Sequence, residues 1–303
     1  MEFSVEINNL TKTFGKTTAL RDINLQVRTG EVFAYIGPNG AGKSTTIRVL
    51  LGILNATKGG AKVFGKDAWA DAVEIHKRIA YVPGDVNLWP NLTGGEVIDL
   101  FVNLRGTHDK TLRERLVRDF DLDTTKKCRT YSKGNRQKVA LIAAFASDVD
   151  LYILDEPTSG LDPLMEQVFQ SCVLEQKRKG KGVFLSSHIM SEVERLCDRV
   201  GIIRQGELVQ TGTLDELRHL TRYTVTAATE RAITGIETLQ GVHDVTRLDS
   251  GALRFQVGTA DMGGAINHIS QFGIKMLESA PPSLEELFMQ HYRKGGGRDV
   301  DAE

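Results

Sequence analysis

The sequence predicts an α/β domain with a largely parallel central sheet, a helical subdomain inserted in it, and a small α+β domain after it. The sequence contains five short apolar runs that are typical of buried strands: "EVFAYIG" (31–37), "IAYVP" (79–83), "LYILDEP" (151–157), "GVFLSS" (182–187) and "VGIIRQG" (200–206). In most of the segments between them, apolar residues recur at helical spacing. From about 87 to 145 the strand-like runs stop and helical patterns replace them. Strands alternating with helices favour a parallel sheet, and the helical stretch indicates an insertion.

The first domain is expected to span 1–220, with the helical subdomain at about 87–145. In 221–293 the strand-like and helix-like runs follow the order β-α-β-β-α-β, which is the ferredoxin-like arrangement. Within it, "AITGIETL" is expected to be a short helix, and "SLEELFMQHY" an amphipathic helix at the end. The tail 294–303 is expected to be disordered.

Composition and charge exclude several classes of protein. The chain has 303 residues, of which 41% are hydrophobic and 25% charged, and this is ordinary globular material. A net charge of -1 gives no general attraction to nucleic acid, and the short basic runs near 126 and 177 read as solvated faces. Three scattered cysteines suggest neither a disulfide framework nor a zinc site, and they indicate a reducing compartment.

A membrane span of its own is not expected. The longest apolar run, "VALIAAFA" from 139, falls well short of the ~18 residues that cross a bilayer. The N-terminal "MEFSVEINN" does not have the pattern of a signal peptide.

The most specific chemical signal is "GPNGAGKST" at 37–45, which fits the phosphate-loop pattern G-x-x-x-x-G-K-[ST] between a strand and a helix. Glycines let backbone N–H groups wrap a polyphosphate, and the helix N-terminus adds a positive dipole. Lys43 is expected to reach the β- and γ-phosphates, and Ser44 to bind magnesium. The motif predicts a P-loop nucleotide-binding domain.

Hydrolysis needs a second metal anchor and a group that positions water. The apolar run "LYILDEP" ends in Asp155, expected to hold magnesium directly or through water, and Glu156, expected to polarise the attacking water. His188 follows the run "GVFLSS", where a neutral imidazole can hydrogen-bond the γ-phosphate and the water.

A polar turn, "YSKGNRQKV" at 131–139, lies between the phosphate loop and the carboxylates. Ser132 is placed like a helix N-cap, and Gly134 permits close backbone approach, so the turn is expected to be a second anion-binding helix terminus. One nucleotide in one chain does not need two such cradles. Two chains packed head to tail around two nucleotides do.

In order and spacing, "GPNGAGKST", "YSKGNRQKV", "LYILDEP", "SGLD" and "LSSH" resemble the nucleotide-binding subunit of ATP-binding cassette (ABC) transporters over about residues 3–220. The resemblance implies an ATPase that uses ATP and Mg²⁺, with Glu156 and His188 as the hydrolytic pair. It also implies four sets of nucleotide contacts. Phe14 would stack on adenine, and Asp162 would lie in the loop that links the two sites. The phosphate loop would contribute Asn39, Gly40, Gly42, Lys43, Ser44 and Thr45, and the signature turn Ser132, Gly134 and Asn135.

Two positions depart from the family pattern. After the "YVP" strand the family has Gln or Glu, whereas this chain has Gly84 followed by Asp85, and a shift of one residue turns a side chain to the opposite face. Whether Asp85 substitutes is left open. Lys133 stands where the signature has glycine. Its side chain is expected either to add a cation near the partner's phosphate or simply to face solvent, and the sequence favours neither.

The resemblance further implies two partners: a second nucleotide-binding subunit, in a homodimer or a heterodimer, and a separate membrane permease that holds the chain at the cytoplasmic face of the membrane. Trp89, Pro90 and Leu92 are expected either to line the groove that receives the permease or to belong to the core of the helical subdomain. The C-terminal domain is similar to that of drug and antibiotic exporters with permeases of the ABC-2 type. It is expected to serve in dimerisation or regulation.

Two other functions are weighed. A non-transport ATPase of the same superfamily shares the site, but its repair members carry a long coiled coil and its translation members two cassettes, and neither is present in this sequence. A P-loop small-molecule kinase would have an acceptor pocket and no use for Ser132. A protein that only binds nucleotide would be expected to lack Glu156.

Overall fold

The computed structural model describes residues 2–106, 109–219 and 222–280. The chain divides into two compact units, Met1–Thr211 and Gly212–Glu303, and each is described by itself. The expected amphipathic helix at 283–292 and the expected disordered tail at 294–303 lie outside the described residues.

Strands and helices are numbered in chain order. The strands are β1 Phe3–Phe14, β2 Thr17–Arg28, β3 Val32–Ile36, β4 Lys58–Val63, β5 Lys66–Asp67, β6 Ile79–Val82, β7 Leu151–Asp155, β8 Gly182–Ser187, β9 Arg199–Arg204, β10 Glu207–Thr213, β11 Tyr223–Thr229, β12 Val242–Arg247, β13 Leu253–Val257 and β14 Ile274–Ala280. The helices are α1 Lys43–Leu50, α2 Ala72–His76, α3 Gly94–Leu104, α4 Lys110–Asp119, α5 Lys133–Phe145, α6 Pro163–Arg178, α7 Met190–Leu196, α8 Leu214–His219 and α9 Met262–Ser270.

A six-stranded sheet forms the centre of the first unit, in the order β10-β9-β3-β8-β7-β6. The pairs β9/β3, β3/β8, β8/β7 and β7/β6 are parallel, and every residue of β3, β7 and β8 is buried. Strands buried on both faces read as continuous apolar runs, which is why the sequence marks them. The carboxyl ends of β3, β7 and β8 therefore meet at one edge of the sheet.

A second sheet is antiparallel, in the order β2-β1-β4-β5. Its strands β1 and β2 come before α1 in the chain, and β4 and β5 come after it. This sheet was not predicted from the sequence. Register shifts interrupt the pairing of β1 with β2, and Asn9 and Asp22 adopt left-handed backbone conformations with φ of 48° and 50°. Such bulges break the alternation of apolar and polar residues by which a strand is recognised. The inner face of this sheet packs with α1 and the central sheet in one apolar core.

Three helices, α3, α4 and α5, occupy the segment between β6 and β7. α3 begins with a capping box, in which the Thr93 hydroxyl accepts from the Glu96 N–H at 3.2 Å and the Glu96 carboxylate accepts from the Thr93 N–H at 2.6 Å. Asp109 caps α4 with a single bond, accepting from the Leu112 N–H at 2.9 Å. These caps satisfy N–H groups that the first turn of a helix leaves without partners.

The second unit contains a four-stranded antiparallel sheet in the order β12-β13-β11-β14, packed with α9 around its own apolar core. The expected helix "AITGIETL" is wrong in detail, since the structure has a short 3₁₀ turn at Ile236–Thr238 there. Gly235 adopts a left-handed conformation with φ of 74°, which interrupts a helix. The turn nevertheless buries Ile236 fully in the core.

Candidate nucleotide-binding site

The phosphate loop leaves β3 at Gly37 and enters α1 at Lys43, and two of its glycines are required by space. Gly42 has a φ of 114°, and a Cβ atom there would lie 2.7 Å from Leu20 Cδ2. A Cβ atom on Gly37 would lie 2.4 Å from the carbonyl oxygen of Ile203. Because no other residue fits at these positions, the loop keeps a bare backbone that a polyphosphate can approach closely.

The N-terminus of α1 has no side-chain cap. The unpaired N–H groups and the positive end of the helix dipole therefore face the loop without a competing side-chain acceptor. A cavity of about 200 Å³ lies at this point. Its lining residues come from β2, the phosphate loop, the first turn of α1 and the end of β7, and they are Ala19, Pro38, Asn39, Gly40, Gly42, Lys43, Ser44, Thr45 and Glu156.

Lys43 is nearly buried, with 6% of its surface exposed. Its amine donates to the carbonyl of Gly37 at 2.6 Å and lies 3.3 Å from Glu156 Oε1. The carbonyl of Pro38 also accepts from the amine, at 3.3 Å. All three partners are oxygen atoms, as those of a phosphate would be. The lysine is thus held at the loop, ready to exchange them for phosphate oxygens.

Asp155 ends β7 and is buried at the edge of the sheet, 6% exposed. Its Oδ1 accepts a short hydrogen bond of 2.5 Å from the Ser186 hydroxyl on β8. Glu156, the next residue, has a left-handed backbone with φ of 49°, and its N–H donates to the Ser186 carbonyl at 3.0 Å. Ser186 therefore fixes both carboxylate-bearing residues. This role was not predicted from the sequence, where the one sign of it is a serine near the end of an apolar strand.

Glu156 lies between Lys43 and His188. Its Oε2 is 2.5 Å from His188 Nδ1, while Oε1 faces the lysine amine. His188 follows β8 directly, and 61% of its side chain is exposed. A carboxylate fixed on both sides beside a phosphate-binding loop is suited to orient and polarise a water molecule. The hydrolytic pair expected from the sequence is thus brought together by the fold.

The donors near the phosphate loop suit magnesium. Ser44 supplies a hydroxyl at the start of α1, and Asp155 a carboxylate at the end of β7. Magnesium prefers oxygen ligands and is usually held by one or two protein groups together with substrate phosphates. The described residues contain no cluster of three or more His, Cys, Asp or Glu side chains that could hold a metal ion.

The turn at 131–135 begins α5. Ser132 is its N-cap, and the Ser132 hydroxyl accepts from the Asn135 N–H at 3.3 Å. A Cβ atom on Gly134 would lie 2.5 Å from the carbonyl oxygen of Gly160. Ser132, Gly134 and Asn135 do not line the phosphate-loop cavity of their own chain. Gly134 adjoins the loop 157–162, which follows Glu156.

Asp162 caps α6, and its Oδ1 accepts from the Met165 N–H at 3.0 Å. Phe14, at the end of β1, is 48% exposed, and the Lys12 amine lies 5.1 Å from its ring centre. Phe14 is not among the residues that line the cavity. An exposed ring beside a surface strand is nevertheless available to stack on a flat base.

The two departures from the family pattern have distinct structural settings. A Cβ atom on Gly84 would lie 3.1 Å from the carbonyl oxygen of Asp155, so this glycine packs tightly beside the carboxylates. Asp85 is exposed. The amine of Lys133 donates to the Ser159 hydroxyl of the same chain at 2.7 Å. Lys133 is exposed, in agreement with the expectation of a solvent-facing side chain, and its amine is in addition held by Ser159.

Comparison with known proteins gives a consistent family. The family model described as "ABC transporter" matches residues 20–159. The bacitracin transport ATP-binding protein BcrA of Bacillus licheniformis is 30% identical over 98% of this chain and 99% of its own length. The linearmycin resistance ATP-binding protein LnrL of Bacillus subtilis is 31% identical, over 94% of this chain and 97% of its own. An ABC transporter ATP-binding protein of Nostoc is 41% identical, but the match spans 67% of this chain and 62% of that protein.

A solved structure of an ATP-binding subunit of an ABC transporter is similar over 71% of this chain and 92% of its own, with 35% identity and a TM-score of 0.67. The described part of the chain contains no helix that is both long and apolar enough to cross a membrane. The ABC ATPase fold expected from the sequence is confirmed. Because two relatives match nearly the whole chain at 30% identity or more, this protein belongs to the ABC transporter family and is an ATP-hydrolysing, ATP-binding subunit.

Proposed function

We propose that this chain powers a separate membrane permease of the ABC-2 type, for export of an antibiotic or another lipophilic compound. The observation that carries the proposal is the match to BcrA and LnrL, whose names refer to bacitracin transport and linearmycin resistance. The matches cover 98% and 94% of this chain, so they include the second unit and not the ATPase core alone.

The active form is a head-to-tail dimer that closes on two ATP molecules. The position of the turn at 132 supports this, since Ser132, Gly134 and Asn135 lie away from the cavity of their own chain. α5 nevertheless begins there with backbone N–H groups that suit an anion. In the dimer each turn contacts the γ-phosphate bound to the other chain's phosphate loop, and Asp162 lies in the loop that connects the two sites.

Hydrolysis uses Glu156 and His188. Lys43 gives up its bonds to Gly37 and Glu156 and binds the β- and γ-phosphates. Released from the lysine, Glu156 polarises the attacking water, and His188 holds Glu156 on its other side. Ser44 and Asp155 would hold Mg²⁺, which would neutralise charge on the phosphates. Phe14 stacks on the adenine ring.

The permease binds at the helical subdomain, which keeps the chain at the cytoplasmic face of the membrane. An apolar cavity of about 90 Å³ opens between β6, α3 and α5, and Val86, Leu88 and Phe101 are among its lining residues. Trp89 is 51% exposed beside it, and its ring lies 6.0 Å from that of Phe101. Exposed aromatic surface next to an apolar groove is typical of an interaction site.

The domain boundaries expected from the sequence are part of this proposal: an ATP-binding domain at 1–220, an accessory domain at 221–293 and a tail at 294–303. The two compact units divide between Thr211 and Gly212. The strand order β12-β13-β11-β14 and the position of α9 between β13 and β14 support a ferredoxin-like arrangement for the accessory domain. The first helix of that arrangement is reduced to the 3₁₀ turn at Ile236–Thr238. This domain serves in dimerisation or regulation.

The experiment compares the oligomeric state of Glu156→Gln with and without ATP and magnesium. The substitution keeps the shape of the side chain but removes its basicity, so it should stall hydrolysis and trap a closed dimer. A second variant adds Ser132→Arg, which should abolish the ATP-dependent dimer. Ser171→Arg, at an exposed position of α6 in the first unit, is the matched control and should leave the dimer intact.

If Glu156→Gln stays monomeric with ATP both alone and together with its co-expressed permease, the transporter mechanism is wrong. A phosphorylated small-molecule product would then favour the kinase alternative. If the variant with Ser132→Arg still dimerises with ATP, the head-to-tail arrangement is wrong. The dimer would then form through another surface.

A further inference from the structure

The start of α5 is attached to the loop 157–162 of the same chain. The Gln137 side chain, 1% exposed, donates from Nε2 to the carbonyl of Pro157 at 2.9 Å. Gly134 lies so close to the carbonyl of Gly160 that a Cβ atom would come within 2.5 Å of it. Both contacts join the signature turn to the loop that begins directly after Glu156.

Lys133 adds a third contact, and its geometry is specific. Its amine donates to the Ser159 hydroxyl at 2.7 Å. The Cδ and Cγ atoms of its stem lie 3.4 and 3.5 Å from the point where a Cβ atom on Gly160 would be, so the stem lies over that glycine. Gly160 has a φ of 85°, which lets the loop turn beneath the lysine. A glycine at 133 would provide neither the hydrogen bond nor the apolar cover.

We propose that Lys133 is a positioning residue, which holds the signature turn in register with the loop 157–162 and hence with Glu156 of its own chain. This inference rests on the head-to-tail dimer of the proposed function. In that dimer the turn contacts the nucleotide of the other chain, whereas Glu156 serves the nucleotide of its own. The Lys133–Ser159 contact therefore links the two ATP sites through one chain, and the lysine does not act as a phosphate ligand.

The contact is between partly exposed groups, so it contributes little to the free energy of unfolding. Its effect is expected in the orientation of the turn when ATP is bound, and therefore in kcat more than in KM. A lysine that instead contacts the partner's phosphate would behave differently. Its loss would weaken ATP binding and raise KM, whatever residue stands at 159.

A double-mutant cycle on ATP hydrolysis by the full chain separates these two roles. The variants are Lys133→Met, which keeps the stem without the donor, Ser159→Ala, and the two combined. We expect each single variant to lower kcat by about threefold with little change in KM, and the double variant to lose no more than either single one. Lys133→Arg retains a donor and should recover most of kcat. Lys110→Met, at an exposed position of α4, is the matched control and should be unaffected.

Three results would overturn the proposal. In the first, Lys133→Met raises KM while Ser159→Ala changes neither kcat nor KM. In the second, the kcat losses of the single variants multiply in the double variant, and in the third no variant lowers kcat. Melting temperatures within a degree or two of the unmodified chain exclude misfolding as the cause of a loss. The dimer itself is tested separately with Glu156→Gln. If that variant dimerises with ATP while the cycle is additive, the Lys133 inference alone fails; if it never dimerises, the proposed function fails first.

Discussion

Glu156 illustrates how single residues of this site depend on their neighbours. A non-glycine residue with φ of 49° has an unfavourable backbone, at a cost of about 1 kcal/mol or more. The Ser186 carbonyl accepts from its N–H, and Lys43 and His188 flank its carboxylate. The strained turn directs the side chain away from the line of β7 and towards the phosphate loop. Strain here is part of how the carboxylate is placed.

Glu192, on α7, is a buried carboxyl group close to the same loop. It is 3% exposed, and its Oε2 accepts from the Ser187 hydroxyl at 2.7 Å. Burial raises the pKa of Glu192 to about 7, since the hydroxyls of Ser187 and Thr158 only partly offset the loss of solvation and Glu166 and Glu156 add repulsion. The sequence does not mark this residue, because a glutamate in a helical pattern gives no sign of burial.

Glu192→Gln should stabilise the protein at neutral pH. The raised pKa means that the folded state favours the protonated form. The stability that the folded parent gains by binding this proton is complete below the unfolded pKa of 4.5 and is lost as the pH rises towards 7. Glutamine does not titrate, so the difference in free energy of unfolding between variant and parent should grow between pH 5 and pH 7.5, by on the order of 3 kcal/mol. Denaturant unfolding at several pH values measures it.

Glu114→Gln, at an exposed position of α4, is the control for that experiment. A Glu192→Gln variant whose stability runs parallel to that of the control across the pH range would show that Glu192 titrates normally in the folded protein.

The helices of the first unit divide according to how they begin. α3, α4, α5 and α6 each start with a side-chain cap, whereas α1, α2 and α7 have none, and of these three only α1 follows the phosphate loop. A cap satisfies N–H groups internally, so a helix without one keeps them for an external anion. In α5 the Ser132 hydroxyl accepts only from the Asn135 N–H, as the caps of α4 and α6 also accept from one N–H each, so the cap does not engage the N–H groups of Lys133 and Gly134. The two proposed phosphate cradles thus differ in how much of their backbone is free.

For α6, the two roles of Asp162 can be separated by a pair of variants. Asp162→Ala removes the cap on the Met165 N–H and should lower the free energy of unfolding by about 1 kcal/mol. Asp162→Asn also caps well, and its stability should stay close to that of the parent. Thermal unfolding measures both. Equal losses in the two variants would mean that the charge, and not the cap, stabilises the start of α6.

At the scale of the whole molecule, each unit has its own apolar core. One cluster surrounds Phe33, Tyr35 and Phe184 in the first unit, and the other surrounds Val225 and Phe255 in the second. The residues with proposed chemistry all lie before 211, within the first unit. A unit with a separate core can in principle fold alone.

A chain ending at 219 should therefore hydrolyse ATP with a kcat within about threefold of the full chain, because every residue with proposed chemistry lies in the first unit. Steady-state hydrolysis measures it, with Lys43→Ala in the same shortened chain as the inactive control. A folded fragment that has lost activity would show that the second unit takes part in the site or in the dimer.

Much of the central sheet could be predicted, and the antiparallel sheet beside it could not. The five apolar runs of the sequence all became strands of the six-stranded sheet, since burial on both faces leaves an uninterrupted apolar pattern. β1 and β2 bury one face and are broken by bulges, so their pattern is weak. Ala19, on β2, lines the phosphate-loop cavity and went unnoticed for that reason.

The sequence by itself determined the features that depend on adjacent residues: the glycine loop, the capped helix starts and the polar residues at strand ends. Only the tertiary structure decided which of these features meet. Parallel pairing of β3, β8 and β7 brings Lys43, His188 and Glu156 together, and the turn of the loop at Gly160 brings Ser159 to Lys133. The physical reason is that backbone preferences are local, whereas register and loop packing depend on contacts between residues far apart in the chain.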